Sequence, residues 1–362
     1  MTPRPLHLHL VAIGGTGMAP LACLLQAQGH RVTGSDGPLY PPMSQLLEAA
    51  GIRPLVGYSA AHLQPEPDVV IVGNAVRRDN PEAVETERLG LPRLSMPEAL
   101  ARFFLADRQP LVVAGTHGKT TTSAMAAKVW SDCGRDPGFL IGGVPIDLGV
   151  SFRCGSGPRF VIEGDEYNAA YFDRGAKFLH YRPETLILTS VEHDHADLYP
   201  TPESLLGAYS RLIALVPESG LIVACGDSAE IRQLAEAARA PVVFYGEHAT
   251  NAVRLLGVPA ADSAGVRFRL REESGDELAV TMPVWGVHNV VNALAVWAAG
   301  RRGGIEAGEL AGALARFRGV QRRQELLADH GGIVVVDDFA HHPTAVEKTL
   351  DSMRMRFPGR RL

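Results

Sequence analysis

The chain has 362 residues, of which 46% are hydrophobic and 21% are charged. Both fractions are close to globular averages and exclude a disordered or fibrous protein, and the length predicts two or three domains at roughly 100–200 residues each. The 35 basic and 40 acidic residues give a formal net charge of −5, without the basic excess that is typical of nucleic-acid or anionic-membrane binding.

The sequence carries no sign of export or of a membrane anchor. The four cysteines are far apart and form no CxxC pair, which argues against a disulfide framework or a zinc ribbon and favours a reducing compartment. The N-terminus lacks the pattern of a signal peptide, and no apolar run approaches the roughly 20 residues of a membrane helix. We therefore expect a cytoplasmic protein with no nucleic-acid and no membrane partner, whose oligomeric state stays open.

Short apolar runs alternate with amphipathic stretches along most of the chain, which predicts α/β domains with largely parallel sheets. The first series consists of strands at 6–13, 30–36 and 67–76, the last ending at Asn74, with a glycine turn and a helix at about 18–28 after the first strand. A polar break at 106–110 precedes a fresh strand, LVVAG, and predicts a domain boundary. The second series consists of strands at 159–166, 185–195, 220–227 and 241–246, a hairpin at 266–282 and a helix from 288 to about 299.

A third series begins near residue 331 and is short. The 39 residues from Gln324 to the end have room for one strand and one helix, whereas a βαβ unit alone takes about 30 residues or more. A single strand–helix pair cannot bury both faces of its strand. We therefore expect this tail to dock on the second domain, or else to be an incomplete third domain.

The strongest motif follows the apolar strand LVVA and opens a helix-forming run. Its glycines let backbone N–H groups approach phosphate oxygens, and the helix N-terminus adds a favourable dipole. Lys119 can reach the outer phosphates, and the Thr120 hydroxyl can ligate Mg²⁺, although Val113 stands where the common pattern has its first glycine. We predict a shortened ATP-binding loop rather than a chance glycine turn. Its residues are Gly115, Thr116, His117, Gly118, Lys119, Thr120 and Thr121.

Two acidic clusters close apolar strands of the second series. EGDE begins at Glu163 after the strand RFVI, and EHDHAD runs from Glu192 to Asp197 after TLILTSV. In a parallel sheet both strand ends lie on the edge that carries the phosphate loop, where ligands collect. Carboxylates and a histidine beside a triphosphate suit Mg²⁺ held partly by protein and partly by phosphate oxygens. Zinc competes for such a cluster, but the phosphate loop favours magnesium.

The N-terminal turn reads Ala12-x-Gly14-x-x-Gly17, and Asp36 ends the second strand. This pattern is close to the GxGxxG dinucleotide fingerprint, with Ala12 in the first glycine position. It predicts a nucleotide diphosphate at a helix N-terminus, with Asp36 near a ribose, but does not indicate which nucleotide. A tight turn without a ligand is the alternative.

Three motifs further along the chain have two interpretations each. Asn289 and Asn292 lie on one helix face, where their amides either read a purine edge or cap the helix. Arg322 and Arg323 either hold phosphate at a domain junction or are solvated. The stretch DDFAHHP, from Asp337, ends a strand, and its histidine pair is ambiguous between metal, nucleotide and loop roles.

In their order along the chain, GGTGM, SD, GTHGKTTT, EGDE, EHDHAD, HNVVN, RR and DDFAHHP resemble the Mur ligase family. These are ATP-dependent, amide-forming enzymes of peptidoglycan metabolism. The resemblance implies a Rossmann-like UDP-binding domain at 1–106, a central P-loop α/β ATPase domain at 107–323, and the start of a Rossmann-like peptide-binding domain at 324–362. The family's third domain is normally much longer, so we expect the tail to be incomplete and most of the peptide pocket to be absent.

The resemblance also implies residue roles. Lys119, Glu163 and His195 would be catalytic, and Thr120, Glu163 and His195 would hold Mg²⁺. The implied ATP contacts outside the phosphate loop are Asn289 and Asn292 to adenine, Arg323 to phosphate and Asp338 to ribose. The implied UDP-sugar contacts are Gly14, Gly15, Thr16, Gly17, Met18, Asp36 and Asn74.

Within the family, the stretch EGDEYNAAYFDRGAKFLHYRPETLILTSVEHDHADLY is most similar to the branch that acts in peptidoglycan recycling. The implied reaction joins the lactyl carboxylate of UDP-N-acetylmuramate to the amine of the murein tripeptide L-alanyl-γ-D-glutamyl-meso-diaminopimelate. The carboxylate first attacks the γ-phosphate of ATP to give an acyl phosphate, and the amine then displaces phosphate. Three alternatives stay open: an L-alanine-adding ligase of the same family, a non-catalytic nucleotide-binding remnant, and an NAD-dependent oxidoreductase, which would leave the phosphate loop unexplained.

Overall fold

The computed structural model describes residues 4–362, and the chain divides into two compact units. The first unit contains the residues up to Arg108 together with 152–154 and 165–181. The second contains 109–151, 155–164 and 182–362. The α/β class predicted from the sequence is confirmed, because parallel strands alternate with helices in both units.

The first unit is built on a five-stranded parallel sheet. In spatial order its strands are Leu55–Val56, Arg31–Asp36, His7–Val11, Val69–Val72 and Arg93–Ser95. The helices of this unit are Met18–Ala27, Met43–Ala49, Pro81–Leu89 and Met96–Leu100, with 3-10 turns at Ala60–Leu63 and Lys177–His180 and a π-turn at Ala101–Leu105. The remaining strands are Phe152–Arg153 and the antiparallel pair Asn168–Ala170 and Asp173–Ala176.

Sequence signals explain several of these boundaries. The strand Val69–Val72 reads VVIV and is buried throughout, as expected of a parallel strand covered on both faces. The helix Pro81–Leu89 begins after Asn80, whose side chain accepts hydrogen bonds from two backbone N–H groups, and ends at Gly90 in the left-handed conformation. These are an N-cap and a glycine stop of the usual kind.

The second unit is built on a mixed sheet whose central strands are parallel. In spatial order its strands are Glu277–Met282, Gly265–Arg271, Val253–Asp262, Val242–Gly246, Leu221–Cys225, Thr185–Leu188, Gln109–Ala114, Arg159–Gly164 and Gly138–Leu140. The first three are joined antiparallel. The helices are Lys119–Asp132, Pro202–Ala214, Ala229–Ala235, Val287–Arg302, Ala307–Leu314 and Pro343–Arg356.

The core of the second unit lies between this sheet and two helices. Trp130 on the helix Lys119–Asp132 and Trp297 on the helix Val287–Arg302 are almost completely buried. Burying aromatic side chains of this size gives a large hydrophobic stabilisation. The helix that opens at the phosphate loop is therefore firmly anchored, and so is the loop that precedes it.

The prediction of one strand and one helix for the tail was wrong. The tail forms an antiparallel pair of strands, Glu325–His330 and Ile333–Asp337, before the helix Pro343–Arg356. The tail belongs to the second unit, as its expected docking requires, and the Arg356 guanidinium lies 4.0 Å from the centre of the Trp285 ring.

The strand predicted to end at Asn74 ends instead at Val72, so Asn74 is exposed in the following turn. No helix among residues 4–362 is long and apolar enough to cross a membrane.

Candidate functional site

The candidate site of the second unit lies at the carboxyl edge of its sheet. The strands Arg159–Gly164, Gln109–Ala114 and Thr185–Leu188 are adjacent and parallel. The phosphate loop and the two acidic clusters therefore come together at one edge, as the sequence predicted. This edge is where ligands bind in parallel α/β sheets.

The phosphate loop depends on glycine at two positions. Gly115 has φ +140° and Gly118 has φ +81°, values that residues with a Cβ rarely adopt. A Cβ at Gly115 would come within 2.2 Å of Thr189 Oγ1. The Ser190 hydroxyl accepts a hydrogen bond from the backbone N–H of His117 at 2.9 Å. The neighbouring strand end thus shapes the loop, a role for Thr189 and Ser190 that the sequence did not reveal.

Lys119 lies over the loop that it follows. Its Nζ donates hydrogen bonds to the carbonyl oxygens of Gly115 at 2.7 Å and Thr116 at 3.4 Å. The ammonium group is therefore held where phosphate oxygens would approach the helix N-terminus. The role of Lys119 on the ATP phosphates stays a prediction. Thr121 lies in the same first helical turn and is half-buried.

Thr120 and Glu163 form the centre of the candidate magnesium site. The Thr120 hydroxyl donates to Glu163 Oε1 at 3.0 Å, and the backbone N–H of Gly142 donates to Glu163 Oε2 at 2.9 Å. A hydroxyl beside a carboxylate is an oxygen-rich donor set that suits Mg²⁺ with phosphate oxygens completing the shell. The residues present therefore fit this ion. The contact of Gly142 with Glu163 was not predicted, because a pair of glycines in the stretch IGGV does not show which side chain it contacts.

His195, the other predicted magnesium ligand, lies in the loop after the strand Thr185–Leu188. It has φ +56°, and its backbone N–H donates to Asp194 Oδ1 at 2.7 Å. Burial raises the pKa of Asp194, but this hydrogen bond and the neighbouring histidine outweigh burial, and the pKa is lowered. An ionised carboxylate thus orients the loop that carries His195, whose role as a ligand stays a prediction.

Asn289 and Asn292 do not cap the helix that follows Gly286. The helix begins at Val287, and no side chain caps it. Both asparagines are buried inside its first turns; Asn289 Nδ2 donates to the Trp285 carbonyl at 2.7 Å. Asn292 faces the phosphate loop, because a Cβ at Gly118 would lie 2.8 Å from its Oδ1. The capping alternative is therefore wrong, and the adenine contact stays a prediction.

Arg323 connects the tail to the phosphate loop. Its guanidinium donates to the Thr120 hydroxyl at 3.3 Å and lies 5.2 Å from the Phe339 ring centre. The flanking residues Arg322 and Gln324 both have positive φ values, +58° and +54°. This turn directs Arg323 toward the phosphate loop, and its phosphate contact stays a prediction.

Asp338 holds the same turn from the neighbouring strand end. Its carboxylate accepts hydrogen bonds from the backbone N–H groups of Gln324 at 2.9 Å and Ala340 at 2.7 Å. Asp338 therefore has a structural role in this turn. Its contact with the ribose of ATP stays a prediction.

His288 makes the docked tail sensitive to acid. Burial, with a smaller contribution from Lys348, lowers the pKa of His288 to about 4, and its Nε2 lies 3.2 Å from Gln324 Nε2. The folded state keeps His288 neutral, whereas the unfolded chain takes up a proton near pH 6.5. Stability is therefore unaffected above about pH 7 and falls as the pH drops toward 4.

We expect protonation of His288 in the unfolded chain to lower the free energy of unfolding by about 2 kcal/mol when the pH falls from 7 to 5. His288→Gln should remove that part of the loss, whereas His330→Gln, at an exposed position in the tail, should not. Urea unfolding at both pH values measures the difference. An equal pH dependence in all three proteins would contradict the prediction.

The first unit has its own glycine turn at the carboxyl edge of its sheet. Ala12 has φ +64°, which explains why the usual pattern has glycine there. A Cβ at Gly14 would come within 2.1 Å of the Leu39 side chain and 2.9 Å of Asp36 Oδ2. The other predicted UDP-sugar residues at this edge are Gly15, Thr16, Gly17, Met18 and Asn74.

Asp36 organises this turn through three hydrogen bonds. Its carboxylate accepts from the backbone N–H groups of Gly14 and Gly37, each at 2.7 Å, and from the Tyr58 hydroxyl at 3.0 Å. Burial and the hydrogen bond to Asp36 raise the pKa of Tyr58 to about 12. The UDP-sugar contacts of this edge stay predictions.

The two sheet edges and the phosphate loop define a nucleotide-binding α/β protein, and comparison with known proteins identifies its family. Residues 7–108 match the model described as "Mur ligase family, catalytic domain", residues 113–300 the "Mur ligase middle domain", and residues 322–362 the "Mur ligase, glutamate ligase domain". The chain belongs to the Mur ligase family, whose members are ATP-dependent ligases that form C–N bonds. The predicted family and its three-domain fold are thereby confirmed.

Individual relatives are similar over nearly the whole chain. The UDP-N-acetylmuramate--L-alanyl-gamma-D-glutamyl-meso-2,6-diaminoheptandioate ligase of Escherichia coli K12 is 41% identical, over 98% of this chain and 77% of its own length. The UDP-N-acetylmuramate--L-alanine ligase of Paenarthrobacter aurescens is 38% identical, over 96% and 74%. The crystal structure of a murein peptide ligase from Psychrobacter arcticus superimposes with a TM-score of 0.85 at 36% identity, covering 98% of this chain and 77% of that one.

Proposed function

We propose that the chain is an ATP-dependent ligase that joins UDP-N-acetylmuramate to the murein tripeptide L-alanyl-γ-D-glutamyl-meso-diaminopimelate in peptidoglycan recycling. The observation that carries the proposal is the 41% identity to a ligase of that name over 98% of the chain. The arrangement of Lys119, Thr120 and Glu163 supports the ATP-dependent part.

In this proposal the phosphate loop and Lys119 position ATP, and the lactyl carboxylate attacks the γ-phosphate to form an acyl phosphate. The amine of the tripeptide then displaces phosphate through a tetrahedral intermediate. Phosphoryl transfer needs positioning and charge neutralisation more than covalent help from the protein. Mg²⁺ would neutralise phosphate charge when held by Thr120, Glu163 and His195. The glycine turn with Asp36 would hold the UDP-sugar.

The test is phosphate release from Mg-ATP and UDP-N-acetylmuramate with either the tripeptide or L-alanine as the added amine. Release that depends on the tripeptide is the expected result. Release with L-alanine alone would favour the second candidate, an L-alanine ligase, to which the 38% identity with the Paenarthrobacter aurescens protein points. Binding of ATP and UDP-sugar without release in either case would favour the non-catalytic alternative.

Glu163 provides a test of the magnesium site. We expect Glu163→Gln to raise the Mg²⁺ concentration needed for half-maximal phosphate release at least tenfold, because the amide lacks the charge that attracts a hard cation. A magnesium titration at fixed ATP measures this requirement. Glu236→Gln, an exposed position in the same unit, is the matched control. An unchanged magnesium requirement in Glu163→Gln would remove Glu163 from the site.

A further inference from the structure

A second cluster of metal-ligating side chains lies beside the phosphate loop and is separate from Thr120 and Glu163. His117, Glu192 and His342 each offer one ligand atom, and these three atoms lie within 4.8 Å of one another. His117 belongs to the phosphate loop, Glu192 follows the strand Thr185–Leu188, and His342 precedes the helix Pro343–Arg356. Three segments that are far apart in sequence therefore converge on one point of the second unit.

The two distances from the histidine nitrogens to Glu192 are close to those of a metal coordination shell, whereas the two histidine nitrogens lie at most 4.8 Å apart. His117 Nε2 lies 3.3 Å and His342 Nδ1 lies 3.9 Å from the same oxygen, Glu192 Oε2. Zn–N and Zn–O bonds of about 2.0–2.2 Å in a tetrahedral shell place neighbouring ligand atoms roughly 3.3–3.5 Å apart. The His117–Glu192 pair already has this spacing, and the His342–Glu192 pair needs a shift of only a few tenths of an ångström.

His342 supplies an independent sign that the cluster lacks a ligand. Its Nδ1 is a buried atom, and among the described residues it has no hydrogen-bond partner. A buried ring nitrogen left without a partner is costly, and a metal ion at the centre of the cluster would satisfy it. The His342 ring also lies beside the His117 ring, with centroids 4.6 Å apart.

A neighbouring hydroxyl fixes the orientation of the carboxylate in this cluster. The Thr344 hydroxyl donates to Glu192 Oε2 at 2.9 Å and orients the carboxylate, as outer-shell groups commonly do.

We propose that His117, Glu192 and His342 form a binding site for a transition metal of the zinc class. Two imidazole nitrogens and one carboxylate oxygen match a known three-ligand zinc set with an open fourth position, and nitrogen ligands favour zinc over magnesium. The site is distinct from the oxygen-rich magnesium site at Thr120 and Glu163. Because His342 immediately precedes the helix Pro343–Arg356, the bound ion would fasten the tail to the phosphate loop.

The test is Zn²⁺ binding by the full chain without nucleotide, measured by competition with a chromogenic zinc chelator. The wild-type protein should bind one equivalent that His342→Gln and His117→Gln each weaken at least tenfold. His341→Gln is the matched control, because the His341 ring is exposed and its Nδ1 contacts the Phe339 carbonyl instead. His180→Gln is a second control, because His180 lies in another group with metal-ligand spacing, with Glu98 and Asp173 in the first unit.

Two further readouts separate a metal site from a merely structural histidine. Co²⁺ in place of Zn²⁺ should give the intense visible absorption of a tetrahedral centre in the wild type and not in His342→Gln. Zn²⁺ should also slow hydrogen exchange in the first turn of the helix Pro343–Arg356. Equal Zn²⁺ affinity in the wild type and in a His117→Gln, His342→Gln double variant would overturn the proposal, as would an equal loss in His341→Gln.

Discussion

Lys119→Ala should reduce the rate of ATP-dependent phosphate release about 10³-fold, which corresponds to about 4 kcal/mol of transition-state stabilisation. The Lys119 ammonium is held 2.7 Å from the Gly115 carbonyl at the mouth of the loop, where the charge of a transferring phosphoryl group would develop. Alanine leaves the loop glycines and the helix intact but removes this charge. The measurement is kcat with saturating Mg-ATP, UDP-N-acetylmuramate and tripeptide.

Arg239→Ala is the matched control for this prediction. Arg239 is an exposed cation of the second unit, after the helix Ala229–Ala235, so we expect its loss to change kcat less than threefold. Affinity for a fluorescent ATP analogue provides a second readout, which should weaken about tenfold in Lys119→Ala alone. Retention of more than a tenth of wild-type turnover in Lys119→Ala would contradict the assignment of this lysine to the ATP phosphates.

The parts of the site that the sequence predicted are contiguous motifs at strand ends. The phosphate loop from Gly115 to Thr121 and the carboxylate of Glu163 were predictable, because each follows an unbroken apolar strand and parallel strand ends share one edge. The contacts that shape the phosphate loop were not predictable from the sequence. Ser190 lies more than seventy residues from His117 in sequence, and no local pattern reports such a contact.

Among the strands that the sequence analysis did not predict, two were missed for identifiable local reasons. Val253–Asp262 contains Gly257 and Pro259, residues that count against a strand, and the structure accommodates them in an irregularity of register between Leu256 and Ala260. Glu325–His330 has two adjacent leucines that break the alternation of a strand, and its register shifts between Leu326 and Ala328. Periodicity fails at such bulges because one residue falls out of phase.

No sequence pattern indicated the buried polar network in the first unit. Glu82 and His9 are both completely shielded from solvent, although a glutamate in the helix Pro81–Leu89 would be expected on a solvated face. Glu82 accepts hydrogen bonds from the Ser35 hydroxyl, from the Ser59 backbone N–H at 3.1 Å and from ring nitrogens of His9 and His62 at 3.2 and 2.8 Å. The network therefore connects the helix with the sheet and with the turn at Ala60–Leu63.

Glu82→Ala should lower the free energy of unfolding of the first unit by about 3–5 kcal/mol. Removing one member of a buried charged network leaves the other polar groups without partners in a low-dielectric interior, and this loss commonly has that size. Urea unfolding at pH 7, with hydrogen exchange of the strand Arg31–Asp36 to localise the effect, measures the loss. Glu82→Gln should cost less, because the amide keeps the volume and one acceptor oxygen.

The acidic pH dependence gives the same prediction a second test. Burial raises the pKa of Glu82, but hydrogen bonds from His9, Ser35, Ser59 and His62 outweigh burial and lower the pKa. The contribution of the carboxylate is therefore complete above its ordinary pKa near 4.5 and is lost as the pH falls through the lowered value. Glu85→Ala, which breaks an ion pair with Arg88 at the surface of the same helix, should change stability much less than Glu82→Ala. If Glu82→Ala were no less stable than Glu85→Ala, the network would not be what joins this helix to the sheet.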